Sequence, residues 1–270
     1  MSESLPRSAR IAHRLARMRT RVLRALGLRE AVLRGRQARA RARRRLFERF
    51  GSARYSRPGL HEMDRRLDQI IDRDGGIYVE AGGADGYTQS NTYYLEHFRG
   101  WRGVLVEPMR EMAAEARRNR PRARLFECAL VPFGYEDSHV EMEFGDLFTS
   151  VRGVHGEDGE WVQGGLVLGW RDHRIEQVPA RPLSDLLDEA GVTRVDLLSL
   201  DVEGYEAEVL RGLDLSRHAP TWILVEMHDL DAGRAEVGAV LGDLYAEHEL
   251  LSPLDVLYRR ARAAEPADGR

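Results

Sequence analysis

The chain has 270 residues and a net charge of −3, so it is long enough to bury a full hydrophobic core, and no apolar run approaches the roughly 20 residues that cross a bilayer. The single cysteine, Cys128, excludes an internal disulfide, and arginine interrupts residues 11–28 too often for a signal peptide, which together favour a cytoplasmic protein. The charge is split, because residues 1–50 carry 16 arginines against three acidic residues, which leaves −16 for residues 51–270.

Residues 1–55 are predicted to form a basic helical extension. Between residues 9 and 33 apolar side chains recur every three or four positions, so one helical face is apolar and the rest is arginine. A second arginine-rich stretch spans residues 34–49, and residues 51–59 resemble a linker. Such a segment can lie on an anionic membrane as a peripheral anchor, bind nucleic acid, dock on the acidic body of a dimer mate, or remain a solvated extension.

From residue 60 the pattern alternates between helices and strands. Helices are predicted at 61–71, 89–98 and 109–119, and strands at 77–80, 104–106 and 125–130. This rhythm is typical of a parallel sheet with helices on both faces. Residues 56–270 are therefore predicted to form one α/β domain.

The rhythm breaks at residues 131–178, which we interpret as an insertion. Residues 140–144 alternate as a strand would, whereas residues 145–169 are rich in glycine, which favours a substrate loop over a plain connection. Beyond the insertion, helices are predicted at 183–190, 205–211 and 234–248. Strands are predicted at 195–200 and 222–225, with final edge strands within 250–257.

A glycine-rich turn follows the first strand of this domain. Residues 77–91 read IYVEAGGADGYTQSN, so the strand ends on Glu80, and Gly82 and Gly86 precede a predicted helix start. Glycine lets the backbone approach a ligand, and the free N–H groups of a first helical turn attract a carboxylate or a phosphate. The turn is predicted to cradle a nucleotide-type ligand.

Acidic side chains end four strands at one predicted sheet edge: Glu80 with Asp85, Glu107, Asp201 with Glu203, and Glu226 with His228. Ligands of parallel sheets bind at that edge. Glu107 lies 25 residues beyond Gly82, where an acid can accept both hydroxyls of a ribose. The carboxylates of Asp201, Glu203 and Glu226 also allow a bound Mg²⁺. The absence of lysine excludes a P-loop, and no C-x-x-C or H-E-x-x-H pattern indicates zinc.

Four stretches, in this order, resemble the FkbM family of S-adenosylmethionine-dependent methyltransferases. They read VEAGGADGYTQSNTYYLEHFRGWRGVLVEP, ECAL, LLSLDVEGYEAEVLRGLD and ILVEMHD, and the resemblance spans roughly residues 75–230. The first motif of the family usually resembles E-I-G-A-N-D-G, from which Ala81, Gly83 and Ala84 depart. The loss of Asn at position 84 removes a hydrogen-bonding side chain near the methionine end of the cofactor.

The resemblance implies a Rossmann-like class I methyltransferase that binds S-adenosylmethionine, with O-methylation of a sugar, glycan or polyketide hydroxyl as its most familiar activity. It also implies contacts to the methionine part of the cofactor from Glu80, Gly82, Asp85 and Gly86. Ser90 and Asn91, at the predicted helix start, would receive the cofactor carboxylate.

The same resemblance assigns the rest of the cofactor. Glu107 would hold the ribose, Cys128 and Ala129 would lie near the adenine, and Asp201 would face the sulfonium. These positions follow from the matched motifs and not from spacing alone.

Methyl transfer to an aliphatic hydroxyl needs a group that takes the hydroxyl proton, either a base or a metal that acidifies the hydroxyl. His228 is the first candidate base, because an imidazole is largely unprotonated at neutral pH, and Glu203 is the second. His155 and His173 in the insertion are further candidates, and two tryptophans there suit stacking on a sugar: Trp161 and Trp170.

Two other functions remain open at this point. One is methylation of RNA or another polyanion, with the arginine segment contacting phosphates, although the acidic body and the lack of interleaved aromatic residues make nucleic acid the weaker partner. The other is a catalytically degenerate module that binds a membrane or a partner through the N-terminal helix.

Overall fold

The computed structural model describes residues 29–145, 148–154 and 174–261. The chain divides between Ser56 and Arg57 into two compact units. The first unit contains helix α1 (Arg29–Arg49), which falls within the predicted basic extension. The predicted amphipathic stretch before residue 29 lies outside the described residues. Within the described ranges, no helix combines the length and the apolar composition of a membrane span.

The second unit alternates strands with helices. The strands are β1 (Ile77–Ala81), β2 (Arg102–Val106), β3 (Arg124–Phe126), β4 (Ala129–Leu130), β5 (His139–Gly145), β6 (Phe148–Val151), β7 (Arg174–Arg181), β8 (Leu197–Leu200), β9 (Trp222–Glu226), β10 (Tyr245–Leu250) and β11 (Asp255–Arg260). The helices are α2 (Met63–Ile71), α3 (Tyr93–Phe98), α4 (Arg110–Asn119), α5 (Leu183–Ala190), α6 (Glu206–Arg211), α7 (Leu215–His218) and α8 (Leu230–Leu241). Short 3₁₀ turns occupy Leu60–Glu62 and Gly242–Leu244.

Seven strands form the central sheet in the order β10-β11-β9-β8-β1-β2-β3. The five strands from β9 to β3 are parallel, and β11 and β10 add an antiparallel hairpin at one side. The chain runs outward from β1 through β2 to β3, then returns to the other side of β1 as β8. The strand order therefore reverses between β1 and β8, the position at which open parallel sheets bind their ligands.

Helices cover both faces of the central sheet. Successive residues of a strand point to opposite faces, so Tyr78 and Val79 of β1 belong to two different hydrophobic clusters. One cluster includes Leu67 of α2 and Leu95 of α3. The other takes residues from three helices: Leu186 of α5, Val209 of α6 and Val237 of α8. The predicted mostly parallel sheet with helices on both faces is thus confirmed.

A second sheet has the order β4-β7-β5-β6, and its strands β5 and β6 and the first half of β7 come from the predicted insertion. β5 pairs antiparallel with β6 and β7, and β4 pairs parallel with β7. The predicted strand at 140–144 is confirmed as part of β5. The predicted strand at 125–130 is instead two strands, because β3 ends at Phe126 in the central sheet and β4 pairs with the second sheet.

Two of the predicted helices have wrong bounds. The helix predicted at 89–98 begins only at Tyr93, because Glu80 binds the residues just before it. The helix predicted at 234–248 ends at Leu241, and the chain continues as β10. Gly242 has a φ of 51°, a conformation that leaves the helix, and β10 is then held by pairing with β11. β11 is consequently an inner strand and not the predicted edge.

Candidate cofactor and acceptor site

A cleft opens at the carboxyl ends of β1 and β8, where the strand order reverses. Gly82 has a φ of 82°, and a Cβ on it would lie 1.7 Å from the backbone oxygen of Asp201. Only glycine therefore lets the turns after the two strands meet. The space between them, with the solvent at its mouth, measures about 1080 Å³. It is lined by residues that include Glu80, Gly82, Ala84, Ser90, Asn91, Glu107, Met109, Met112, Cys128, Ala129, Met142, Thr149, Val151, Asp201, Glu203 and Tyr205.

The buried Glu80 carboxylate organises the turn that follows β1. Its oxygens accept hydrogen bonds from the Asn91 backbone N–H at 2.8 Å, the Thr92 hydroxyl at 2.7 Å and the Ser90 hydroxyl at 2.9 Å. The Ser90 hydroxyl oxygen in turn accepts the backbone N–H groups of Thr92 and Tyr93. These bonds give partners to the backbone N–H groups of Asn91, Thr92 and Tyr93 at the start of α3.

Arg120, at the end of α4, is fully buried against this turn. Its guanidinium donates to the Glu96 carboxylate at 2.7 Å, the Thr92 hydroxyl at 3.0 Å and the Ser90 hydroxyl at 3.2 Å. The negative charges around it raise the pKa of Arg120 further, and the same ion pair lowers the pKa of Glu96 despite its burial. Arg120 thus supports the cleft wall from the protein interior, and the Glu96 carboxylate balances its positive charge.

Asn91 lines the cleft and has one acceptor without a partner in the described part of the chain. Its amide nitrogen donates to the Ser199 hydroxyl at 3.2 Å, whereas its buried Oδ1 has no hydrogen-bond partner among the described residues. A buried acceptor without a donor is costly, so this atom indicates a ligand that brings an N–H or O–H group. The Asn91 backbone N–H is already bound to Glu80, and the Ser90 backbone N–H donates to the Tyr87 carbonyl. Both backbone N–H groups are thus engaged within the protein, and the role of Ser90 and Asn91 at the cofactor carboxylate stays a prediction.

Glu107 closes the cleft at the end of β2. One carboxylate oxygen accepts the backbone N–H of Ala84 and the other accepts that of Met109, both at 2.8 Å. Burial outweighs these two bonds and raises the pKa of Glu107 to about 7. Each oxygen keeps a free lone pair, so the carboxylate can accept two further hydroxyl groups in a fixed orientation. Ala84 adopts a φ of 42°, a strained value for alanine.

The far wall of the cleft is apolar and comes partly from the second sheet. Met142 of β5 and Thr149 and Val151 of β6 line it together with Met109 and Met112. The Thr149 hydroxyl lies 3.3 Å from the Met109 sulfur. Such a wall suits a flat heteroaromatic ring.

The neighbouring Cys128 and Ala129 line the same part of the cleft. Burial raises the pKa of the Cys128 thiol to about 12, so it stays protonated and acts as a small apolar group.

The opposite end of the cleft is acidic. Asp201, after β8, is largely buried, and burial, its hydrogen bond with Glu226 and the charges of Glu203 and Glu206 raise its pKa well above the usual range. Glu206 accepts the backbone N–H groups of Val202 and Gly204 and so fixes the turn. Glu203 lies on the cleft wall in a left-handed conformation with a φ of 58°. Strain of this kind is often retained where a side chain must point into a site.

His228 contacts the cleft through Glu203. Its Nε2 lies 3.0 Å from a Glu203 carboxylate oxygen, and this hydrogen bond raises the pKa of His228. His228 itself is absent from the cleft wall formed by the described residues. Glu203, Glu226 and His228 each place one donor atom within 4.8 Å of the others, a spacing that suits a divalent cation.

The structure therefore brings most predicted site residues to one cleft. Those on its wall are Glu80, Gly82, Ser90, Asn91, Glu107, Cys128, Ala129, Asp201 and Glu203. Asp85 and Gly86 lie off the wall: Asp85 accepts the backbone N–H groups of Tyr87 and Thr88, and Gly86 packs closely on Ala116 and Arg120. The candidates in the insertion, His155, Trp161, Trp170 and His173, lie outside the described residues.

Sequence reasoning missed Arg120 and the methionine wall. Arg120 sits in an arginine-rich stretch, so nothing in its immediate sequence marks it as the buried one. Met109 directly follows Glu107 and Pro108, and its position after the acid predicted to hold the ribose was the one available signal.

Comparisons with known proteins agree on methyl transfer. A family model described as the methyltransferase FkbM domain matches residues 80–252. The 2-O-methyltransferase NoeI of Sinorhizobium fredii is 29% identical over 226 residues, which cover 74% of this chain and 86% of NoeI.

Solved structures of methyltransferases are more distant. One from Pyrococcus furiosus is 14% identical, with a TM-score of 0.39, over 83% of this chain and 98% of that one. A TehB-like S-adenosylmethionine-dependent methyltransferase from Corynebacterium glutamicum is 11% identical, with a TM-score of 0.38, over 84% of this chain and 99% of that one.

Proposed function

Because the chain belongs to the FkbM family of S-adenosylmethionine-dependent methyltransferases, we propose that it methylates a hydroxyl group of a neutral sugar, glycan or polyketide-type acceptor. The observation that carries this proposal is the Glu203–His228 pair at the acidic end of the cleft. The similarity to a 2-O-methyltransferase supports the choice of oxygen as the acceptor atom.

The cleft residues fit S-adenosylmethionine. Glu107 would accept both ribose hydroxyls, and the unpartnered Asn91 Oδ1 would accept the α-ammonium group. The wall of Met109 and Met142, with Cys128 beside it, would pack on the adenine. When bound, the cofactor supplies a methyl group activated by a sulfonium, and the chain's own task is to align an acceptor oxygen with it.

Glu203 is the group best placed to take the acceptor proton. It lies on the cleft wall, so the hydroxyl proton can pass to its carboxylate, while the other carboxylate oxygen stays hydrogen-bonded to His228 Nε2. The raised pKa of His228 means that the pair holds a proton more tightly than an isolated imidazole would. In this proposal His228, the first candidate from the sequence, acts through Glu203, and Asp201 holds a proton shared with Glu226.

The charge of the acceptor end favours a neutral acceptor. Four acidic side chains lie at this end, Asp201, Glu203, Glu206 and Glu226, with His228 beside Glu203. Phosphate groups of RNA would be repelled there. The arrangement therefore supports a hydroxyl-rich neutral acceptor over a polyanion.

A divalent cation such as Mg²⁺ is the second candidate for activating the hydroxyl. Glu203, Glu226 and His228 could hold it, and a bound cation would supply the positive charge that this acidic end needs. Chelation separates the two proposals. Activity that EDTA abolishes and Mg²⁺ restores would support the cation, whereas unchanged activity would support the Glu203–His228 pair alone.

The acceptor class is tested by methyl transfer from isotopically labelled S-adenosylmethionine. The full chain would be offered neutral saccharides, matched deoxy saccharides that lack one hydroxyl, simple amines and a short RNA. We expect label in the saccharides as an alkali-stable methyl ether, and none where the accepting hydroxyl is missing. Transfer confined to RNA or to amines would contradict the proposal.

We further propose that residues 56–270 form the catalytic domain, that residues 1–55 serve a separate purpose, and that the reaction takes place in the cytoplasm. The family match within residues 80–252 supports the division, and the buried free Cys128 fits a reducing compartment.

A further inference from the structure

We propose that the C-terminal half of α1, together with Phe50, binds the surface of an anionic lipid bilayer. Two large apolar side chains are unusually exposed there, Leu46 at 54% and Phe50 at 79%. They are four residues apart, so they lie on the same side of the helix, one turn from each other. Adjacent apolar side chains exposed to water often mark a surface that binds a partner or a membrane.

The opposite side of the helix is the packed one. Arg44 and Glu48 point about 160° away from Leu46, given 100° per residue. Arg44 is buried and its Nε lies 3.7 Å from the Glu48 carboxylate. The Ser56 hydroxyl donates to that carboxylate at 2.8 Å. Tyr55 packs edge-on against Phe47, about 100° round the helix from Leu46, at 4.9 Å between ring centroids. The segment after α1 therefore folds back on this side and leaves Leu46 and Phe50 outward.

Arginines flank the outward apolar pair. α1 carries nine arginines against two glutamates. Arg39, Arg43 and Arg49 lie within about 60° of Leu46 on the helical projection. Arg39 and Arg49 are exposed, and the Arg43 guanidinium stacks over the Tyr55 ring at 4.2 Å, which keeps its charge at the surface. The face therefore offers two apolar side chains inside a frame of positive charge.

A lipid surface matches both the apolar pair and the arginines around it. Anionic headgroups pair with the guanidinium groups, while Leu46 and Phe50 reach the apolar layer beneath them. RNA would satisfy the arginines but offers no apolar layer to Leu46. The acidic body of a second copy would also satisfy the charges, and light scattering distinguishes such a dimer from binding to a bilayer.

The test is co-sedimentation of the full chain with vesicles of phosphatidylcholine, alone or mixed with phosphatidylglycerol. We expect binding to the mixed vesicles that high salt weakens, and at least about tenfold weaker binding to neutral ones. The double variant Leu46→Ser with Phe50→Ser should lose at least about tenfold, as should Arg39→Gln with Arg49→Gln. The matched control, Leu244→Ser with Leu254→Ser, removes exposed apolar side chains of the second unit and should bind like the unmodified chain.

Three results would overturn the proposal. The first is equal or absent binding to both kinds of vesicle, and the second is full binding by the α1 variants. The third is tighter binding to a short RNA than to the mixed vesicles, or, in the absence of vesicle binding, a dimer in light scattering. Loss of that dimer in the Leu46 and Phe50 variant would assign the face to a second copy of the chain. Circular dichroism of each variant would show that the fold is intact.

Discussion

Glu107 shows at the scale of one residue how burial and hydrogen bonding set the state of a binding group. Two backbone N–H groups favour its ionised form, whereas its burial favours the protonated form, and burial wins to raise the pKa to about 7. The value lies above the ordinary carboxyl range, so the free protein holds the proton below about pH 7. A ligand that needs the carboxylate must displace that proton first.

Binding of 5′-methylthioadenosine should therefore strengthen as the pH rises through 7. This ligand carries the ribose and adenine but has no amino acid group that titrates there. We expect its dissociation constant to rise roughly eightfold between pH 7.5 and pH 6 in calorimetry. Glu107→Gln should bind at least about tenfold more weakly, with no dependence on pH. A pH-independent affinity in the unmodified chain would remove Glu107 from the ribose site.

Glu203 and His228 make separable predictions about the proton acceptor. Glu203→Gln keeps the size of the side chain but removes the base, so we expect a loss of about 10²–10⁴ in kcat with cofactor affinity within about twofold. His228→Gln should lower kcat less, because Glu203 remains on the cleft wall. The control is Glu208→Gln, since Glu208 pairs with Arg211 on the outer side of α6. Full activity of Glu203→Gln with an inactive His228→Gln would make His228 the direct base.

At the scale of elements, the cleft depends on how closely the turns after β1 and β8 approach each other. Gly82 supplies both the positive φ and the missing Cβ that this approach needs. Gly191, which ends α5, also has a positive φ, but a Cβ there would meet no atom within 4 Å. Both glycines have a positive φ, but only a side chain at Gly82 would overlap another atom. Comparing substitutions at the two positions therefore separates the cost of the left-handed conformation from the cost of steric overlap.

Gly82→Ala should abolish cofactor binding and destabilise the fold by more than Gly191→Ala. The second substitution should cost only about 1–2 kcal/mol of unfolding free energy, from the left-handed conformation alone, and should leave cofactor affinity unchanged. Urea unfolding and calorimetry measure the two effects. Equal losses in both variants would show that the close contact with Asp201 is not a feature of the folded enzyme.

Elements were predictable where local pattern and final environment agree. β1, β2, β8 and β9 are short apolar runs, and the sheet buries them. The end of α8 was not predictable, because Leu244 and Tyr245 continue the helical spacing of Val237 and Leu241. The pairing of β10 with β11 depends on residues distant in sequence, and it overrides that local pattern.

For the molecule as a whole, the fold and the position of the cleft followed from the sequence. The acids at the strand ends meet because parallel strands end at one edge, and that rule needs no knowledge of side-chain contacts. The hydrogen bonds that the side chains form with one another at this sheet edge were not predictable. Glu80 accepts the Asn91 backbone N–H and the Ser90 hydroxyl, and Arg120 contacts the Ser90 hydroxyl from 30 residues away.

The split of charge along the chain also has its counterpart in the structure. The acidic body carries the cleft with its acidic acceptor end, and the arginines of α1 belong to a separate compact unit. Methyl transfer is thus proposed for the second unit, and binding to an anionic bilayer for the first.

The most direct test of this account is a crystal structure of the full chain with S-adenosylhomocysteine. We expect both ribose hydroxyls within hydrogen-bond distance of the Glu107 carboxylate, the ligand ammonium group at Asn91 Oδ1, and the sulfur directed towards Glu203. Density for the ligand in another cleft, or a ribose that does not contact Glu107, would contradict the central claim.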